Sequence, residues 1–195
     1  MKKIIIYLSC LVLAGQVAFA DTFVLDTTQS HVKWEGTKPT GSHNGKLQFK
    51  EGTISLKNST VNSAMFIADM TSITNDDLKG RNNKKLVKHL KSKDFFDVKS
   101  HPTATFKFEK VSLLKGGKYD FKGTLTILGV TKPVHFVAEV NRKDPKKIEA
   151  NTSFSINRTD WGIKYKSKSI FKNIGDKLIH DNMKLDIKLV ANMKG

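Results

Sequence analysis

The feature of this chain that most limits its fold is an alternation of apolar and polar side chains with period two, repeated from His31 onward. Ala104, Phe106 and Phe108 alternate with Thr103, Thr105, Lys107 and Glu109. Tyr119, Phe121, Gly123, Leu125 and Ile127 alternate with Lys118, Asp120, Lys122, Thr124 and Thr126, and Met183, Leu185, Ile187 and Leu189 with Lys184, Asp186 and Lys188. Successive side chains of a strand point to opposite faces, so each run makes a strand with one dry and one wet face. Segments near 31–36, 45–57, 61–70, 104–113, 118–127, 133–141, 148–156 and 182–191 give eight such strands. Gly116-Gly117 suits a hairpin turn that needs positive φ, Asp144-Pro145 marks a further turn, and Gly52 suggests a bulge within the second segment. A lone sheet would leave its apolar face in water, so the strands must close on themselves or stack. Consecutive hairpins favour an all-β, lipocalin-like, up-and-down antiparallel barrel, which at eight strands has room for side chains or one small ligand. A solid β-sandwich satisfies the same pattern.

Two stretches break the period. Between Lys79 and Lys91, Leu86 and Leu90 with Val87 form a narrow apolar stripe at helical spacing, which predicts a short helix over one end of the sheet. The Asp94-Phe95-Phe96 that follows turns two rings back into the protein. Residues 157–181 read as a long loop rich in Lys, Asn and Gly.

The first residues carry the pattern of an export signal: Lys2 and Lys3, an apolar run from Ile4 to Leu13, and the small-x-small site Ala18-Phe19-Ala20. Residues 1–20 are therefore expected to be a cleaved signal peptide and 21–195 a single periplasmic domain. The apolar run is shorter than the roughly 20 residues that span a bilayer, and no later segment is long enough, so no integral membrane span is expected. Cleavage removes Cys10, the only cysteine, and with it any disulfide, thiolate nucleophile or Cys-ligated zinc. The formal charge is +16, and losing Lys2 and Lys3 with no acid leaves +14. Such a surplus fits a solvated lysine-rich surface, or attraction to anionic lipid or to a phosphate-bearing ligand. Export argues against nucleic acid as the partner.

No catalytic or metal-binding constellation is visible. His31, His43, His89, His101, His135 and His180 show no H-x-H, H-x-x-x-H or H-E-x-x-H spacing, and neither a G-x-S-x-G elbow nor a glycine-rich phosphate loop occurs. The acidic clusters Asp76-Asp77 and Asp94 with Asp97 sit where helix caps and turns want them. No enzyme activity, cofactor or metal is expected. What is abundant is apolar bulk on the inward faces, with Trp34, Phe66, Met70, Phe106, Phe108, Leu125, Ile127, Phe136, Phe154 and Ile156 as candidates to line a ligand cavity or simply to fill a core.

The segment from Lys88 to Val98 (KHLKSKDFFDV), followed by His101-Pro102-Thr103-Ala104-Thr105-Phe106, resembles the YceI-like family of secreted bacterial lipid-binding proteins. Ser30-His31-Val32, the run GTLTILGVTK from Gly123 to Lys132, and FSINRTDWG from Phe154 to Gly162 agree with its opening strand, central segment and late element. The resemblance implies a barrel holding a long polyisoprenoid, an isoprenoid quinone or a fatty-acyl compound, without catalysis. It adds Leu90, Phe95, Phe96 and Trp161 to the expected ligand-binding residues. One departure is that Leu86-Val87 stand where many members carry Arg-Asp, which makes the expected lid greasier. A polar head would be read at the pore mouth, and Arg158, His31 and Lys88 are the candidates, Arg158 for its paired donors. The competing role for Arg158 is a structural ion pair with Asp160 or Asp176. Three further readings stand beside this one: an outer-membrane β-barrel with its apolar face outward, a hydrolase or metal enzyme on the same scaffold, and nucleic-acid binding. An exposed sheet face is compatible with a homodimer.

Overall fold

The computed structural model describes residues 20–171 and 175–195, with the Asp176 side chain excepted. The expected signal peptide, Ala20 apart, lies outside the described residues. The strands are β1 (Asp21–Leu25), β2 (His31–Lys38), β3 (Gly41–Lys57), β4 (Thr60–Asp69), β5 (Thr103–Leu113), β6 (Lys118–Ile127), β7 (Val130–Asn141), β8 (Lys147–Asn157) and β9 (Asn182–Met193), with one α-helix, α1 (Gly80–Leu90), between β4 and β5.

All pairings between these strands are antiparallel, and the sheet closes on itself. β1 and β2 each pair with both β3 and β9, Leu25 facing Ala191 and His31 facing Lys188, so the two are halves of one staggered strand. The result is an eight-stranded barrel of the lipocalin-like kind. The interruption is a local turn: Asp26 Oδ1 accepts from the Thr28 and Gln29 amides at 3.0 and 3.1 Å, while the buried Ser30 hydroxyl accepts from Val190 N at 2.9 Å. β1 lies upstream of the strands expected from the sequence.

The alternation falls as the period demands. Tyr119, Phe121, Leu125 and Ile127 of β6, and Met183, Leu185, Ile187 and Leu189 of β9, point inward. Lys107, Lys122, Lys184 and Lys188 are exposed on the outer face. An outer-membrane barrel needs the opposite arrangement, an apolar band facing lipid. Gly116 and Gly117 take φ of 72° and 73° in the β5–β6 turn, as their sequence suggests. The bulge expected at Gly52 lies instead between Phe49 and Glu51. Gly52 is needed for space, since a Cβ there would come within 2.6 Å of the Phe66 ring.

The two ends of the barrel differ. At one, hairpin turns β3–β4, β5–β6 and β7–β8 are short. At the other, residues 70–102 and the described part of the 158–181 connection fold over the end of the barrel. Helix α1 forms where the leucine spacing predicts, with Leu90 buried and Leu86 packed against the main core. Its approach covers the free edge of β3: Thr74 N and Asp76 N donate to the carbonyls of Lys46 and Asn44 at 3.0 and 2.9 Å. An unpaired edge would otherwise invite pairing with another chain. Asp77 caps no helix; its carboxylate accepts from Asn44 N at 3.0 Å and pairs with His43 Nδ1 at 2.7 Å and with Asn75 Nδ2.

Partial burial works against the Asp77 charge, but these bonds outweigh it and lower its pKa from 3.8 to about 2. A carboxylate depressed in the folded state contributes stability above its unfolded pKa and loses it as pH falls through the folded one. Thermal unfolding should therefore show a loss of stability between about pH 4 and pH 2. Asp77→Asn should be less stable by about 1 kcal/mol at pH 7 and should lose less in that window. Gly123→Ala tests the packing, because a Cβ there would run into the Lys107 carbonyl and lie 2.7 Å from the Phe106 ring. Urea unfolding should show a loss of about 2 kcal/mol.

Candidate functional site

The interior is hollow. A cavity of about 420 Å³ runs through the barrel, within the usual range of ligand sites, and its walls are almost wholly apolar. It exists because eight strands enclose more width than these inward side chains fill.

Aromatic rings make the middle of the wall. Phe49 meets Phe66 edge-on at 6.3 Å, Phe66 stacks on Phe106 at 6.3 Å, and Phe106 reaches Phe136 at 5.6 Å. Phe136 stacks on Phe154 at 4.7 Å and 10° and on Phe121 at 5.7 Å and 20°. Phe106 sits on β5 and Phe136 on β7, so their rings must meet across β6. Gly123 of β6, facing Phe108 across the strand pair, leaves the room in which the Phe106 ring lies. Large apolar surfaces thus line the cavity without collapsing it.

Of the residues expected to contact a ligand, Trp34, Phe66, Met70, Phe96, Phe106 and Phe108 line the cavity, as do Leu125, Ile127, Phe136, Phe154 and Ile156. Leu90, Phe95 and Trp161 do not. They are buried in the plug that seals the helix end, together with Val98 and Ile163. There Phe95 packs with His89 at 5.0 Å and Tyr165 at 5.4 Å, and Trp161 Nε1 donates to the Leu125 carbonyl at 3.0 Å. Composition does not separate plug from wall, since both are apolar. The lining residues that the sequence reading did not single out, such as Leu47, Phe49, Ala138 and Ile148, sit at the same inward period.

The three head-group candidates all lie elsewhere. Arg158 is 4 % exposed, and its guanidinium donates to the carbonyls of Ile163, Ile179 and His180 at 2.8, 3.0 and 3.1 Å and lies 3.4 Å from Asp181 Oδ1. It ties the start of the 158–181 connection to its end. Burial opposes its charge and Asp181 offsets that, so the structural role holds, with Asp181 and not Asp160 as the carboxylate; the Asp176 side chain is outside the described residues. His31 is an outward residue of β2, beside the inward Val32, and does not line the cavity. Burial and the nearby Lys33, Lys46 and Lys188 hold its pKa below the ordinary histidine value. Lys88 borders a shallow outer depression between α1 and residues 73–76.

The opening is at the other end. Cavity residues at the helix end, Trp34, Met70, Ile73 and Phe96, are buried. Near the short hairpins Leu56 and Ile148 are buried, but Leu113 is 69 % exposed, and Ser59 and Thr60 are exposed. At this mouth lies Arg142, the one charged side chain among the described lining residues. Among the described residues, no group of three or more His, Cys, Asp or Glu side chains is placed to hold a metal, and no helix is long and apolar enough to cross a membrane.

Fold and site together define a lipocalin-like antiparallel barrel with a closed end, an open end and an apolar lumen. The model of the YceI-like domain matches residues 23–191, and the chain belongs to that family. A UPF0312 protein of Pseudomonas fluorescens is 30% identical over 164 residues, covering 80% of this chain and 83% of its own. A UPF0312 protein of Pseudomonas putida is 42% identical over 82 residues, 40% of this chain, and there the chain spans 43% of the relative's length. Among solved structures, Burkholderia cenocepacia BcnA superposes with a TM-score of 0.70 at 21% identity, over 86% of this chain and 99% of that one. A polyisoprenoid binding domain from Saccharophagus degradans superposes at 0.65 and 15% identity, over 88% and 98%. These two likenesses show the fold.

Replacing Arg158 by Met leaves the buried Ile163 carbonyl and the part-buried Ile179 and His180 carbonyls without their guanidinium donor and removes the cation beside Asp181. Chemical denaturation should show a loss of about 3–5 kcal/mol. Ligand loading per folded molecule should stay at the wild-type level, because Arg158 is not among the residues that line the lumen.

Proposed function

We propose that this protein is an exported, periplasmic binding protein that holds one long apolar molecule, a polyisoprenoid, an isoprenoid quinone or a fatty-acyl compound, in the barrel lumen and does not transform it. The observation that carries the reading is the hollow, aromatic-walled interior open at one end. A tail entering it leaves water at about 0.8 kcal/mol per methylene, so roughly ten methylenes supply about 8 kcal/mol before binding costs. The fold relative described as a polyisoprenoid binding domain supports the same ligand class. Export is inferred from the leader-like residues 1–20.

The direct test is mass spectrometry of an organic extract of the purified mature protein. A long-chain species near one per protein is expected, and an extract without one, followed by failure of the delipidated protein to bind a long-chain prenyl alcohol, would overturn the reading. Phe136→Lys supplies the mutational counterpart. It places an unpaired charge among Phe106, Phe121 and Phe154, and should abolish retention while costing several kcal/mol of stability. Val137→Lys, one residue along on the exposed face, should retain lipid as the wild type does.

A further inference from the structure

Arg142 follows the last residue of β7 and reaches from the β7–β8 turn to the β3–β4 turn, where its Nη1 donates to the Ser59 carbonyl at 3.2 Å. The β5–β6 hairpin separates these turns on one side of the barrel, and β9 with β1 and β2 separates them on the other. The side chain therefore crosses the mouth of the lumen. Its Nε is buried and has no hydrogen-bond partner. Among the described residues no carboxylate comes within 4.0 Å of it, so its charge is not neutralised by the protein. A buried donor without an acceptor is costly in a folded protein, and one that belongs to a cation is more so.

The free atom has a geometry. Nε shares one edge of the guanidinium with Nη2, and that edge takes a carboxylate or phosphate through two parallel hydrogen bonds, while Nη1 is held by Ser59 on the other side. The surroundings carry the same sign. Lys57, Lys115, Lys143 and Lys146 are exposed on the three hairpins of this rim. On the hairpins of this rim, Glu139 pairs with Lys118 at 3.7 Å, Glu149 with Lys147 at 2.6 Å, and Asp144 Oδ1 accepts from the Lys146 amide at 2.8 Å, while Asp21 at the start of β1 is exposed and more than 4.0 Å from the guanidinium.

Resting on the lumen reading above, we infer that Arg142 is the head-group site: the bound lipid carries an anionic oxygen head, a phosphate or carboxylate, which docks on the Nε edge at the mouth while its tail fills the barrel. Arg142 is then a selectivity element in a cavity whose walls discriminate only by length. Ser59 is the positioning partner that holds the guanidinium across the opening.

Geranylgeraniol and geranylgeranyl monophosphate share a tail and differ in the head. Titrated into delipidated mature protein, the monophosphate should bind at least about tenfold more tightly than the alcohol, a difference of about 1.4 kcal/mol. Arg142→Met should remove that preference by weakening the ester alone, leaving alcohol affinity within about twofold of wild type, which also reports that the barrel is intact. Arg142→Lys, which keeps the charge and loses the paired donors, should fall between. Inorganic phosphate should show no saturable binding at concentrations that saturate with the ester. Equal wild-type affinity for the two lipids, a preference that survives in Arg142→Met, or saturable binding of inorganic phosphate alone would overturn the assignment while leaving the lumen reading standing. Failure of both lipids to bind wild-type protein would instead sink the lumen reading itself.

Discussion

The rest of this structure depends on the closure of a sheet that is apolar on one face only. Closure removes the apolar face from water and eliminates the exposed edges of an open sheet in one step. It also fixes an interior width through the number of strands, whatever side chains occupy it. At eight strands the inward residues of this chain meet as a wall of rings, Phe49 through Phe66, Phe106 and Phe136 to Phe154, and leave a cavity behind them. Gly123 belongs to the same logic, because a side chain there would displace the Phe106 ring from its place across β6.

The barrel's two ends are unequal for a topological reason. In an antiparallel meander, turns alternate between the ends, and here both long connections, 70–102 and 158–181, fall at the same one. Long connections can bring their own apolar residues, and these two bring Leu90, Phe95, Phe96, Val98, Trp161 and Ile163 to a common plug. Arg158 then closes the second connection on itself through three carbonyls. The hairpins at the opposite end are too short to cover anything, so the cavity opens among them. A smaller apolar cluster of Phe23, Ile54, Leu56, Ile148 and Ala191 packs this end between β1, β3, β8 and β9, while lining residues of β5 and β6 such as Leu113 and Tyr119 remain accessible.

The strand positions, the inward faces and the helix were legible because period and spacing report directly on which side of an element is dry. The family was legible because several motifs recur in order along the chain. β1 escaped because it is five residues long and gains its meaning from pairing with β3 and β9 far along the sequence. Arg158 stays open between a head-group and a structural role in the sequence, because a motif arginine looks the same whether it faces a ligand or three backbone carbonyls, and the structure shows the carbonyls. Arg142 was hidden for the complementary reason: it sits in a charged turn of no particular pattern, and its placement follows from a carbonyl eighty-three residues earlier in the chain. Leu90, Phe95 and Trp161 belong to the motifs that carry the resemblance, but a motif marks a residue as apolar and buried without saying whether the plug or the wall receives it.

A hollow interior is itself an energetic statement. Judged by the destabilisation that accompanies voids left by core truncation, about 24 cal/mol per Å³, a cavity of about 420 Å³ corresponds to packing on the order of 10 kcal/mol that a filled barrel would have had. That is comparable to the whole net stability of an ordinary domain. The alternating pattern could have closed the space with larger residues at the small inward positions, Ala104, Ala138 and Ala150, all of which line the cavity. Keeping them small holds the lumen open against the dominant force in folding, and the plug and the Phe23 cluster supply conventional packing at either end. On the proposed reading, a hydrocarbon tail would recover in binding what the fold forgoes in packing.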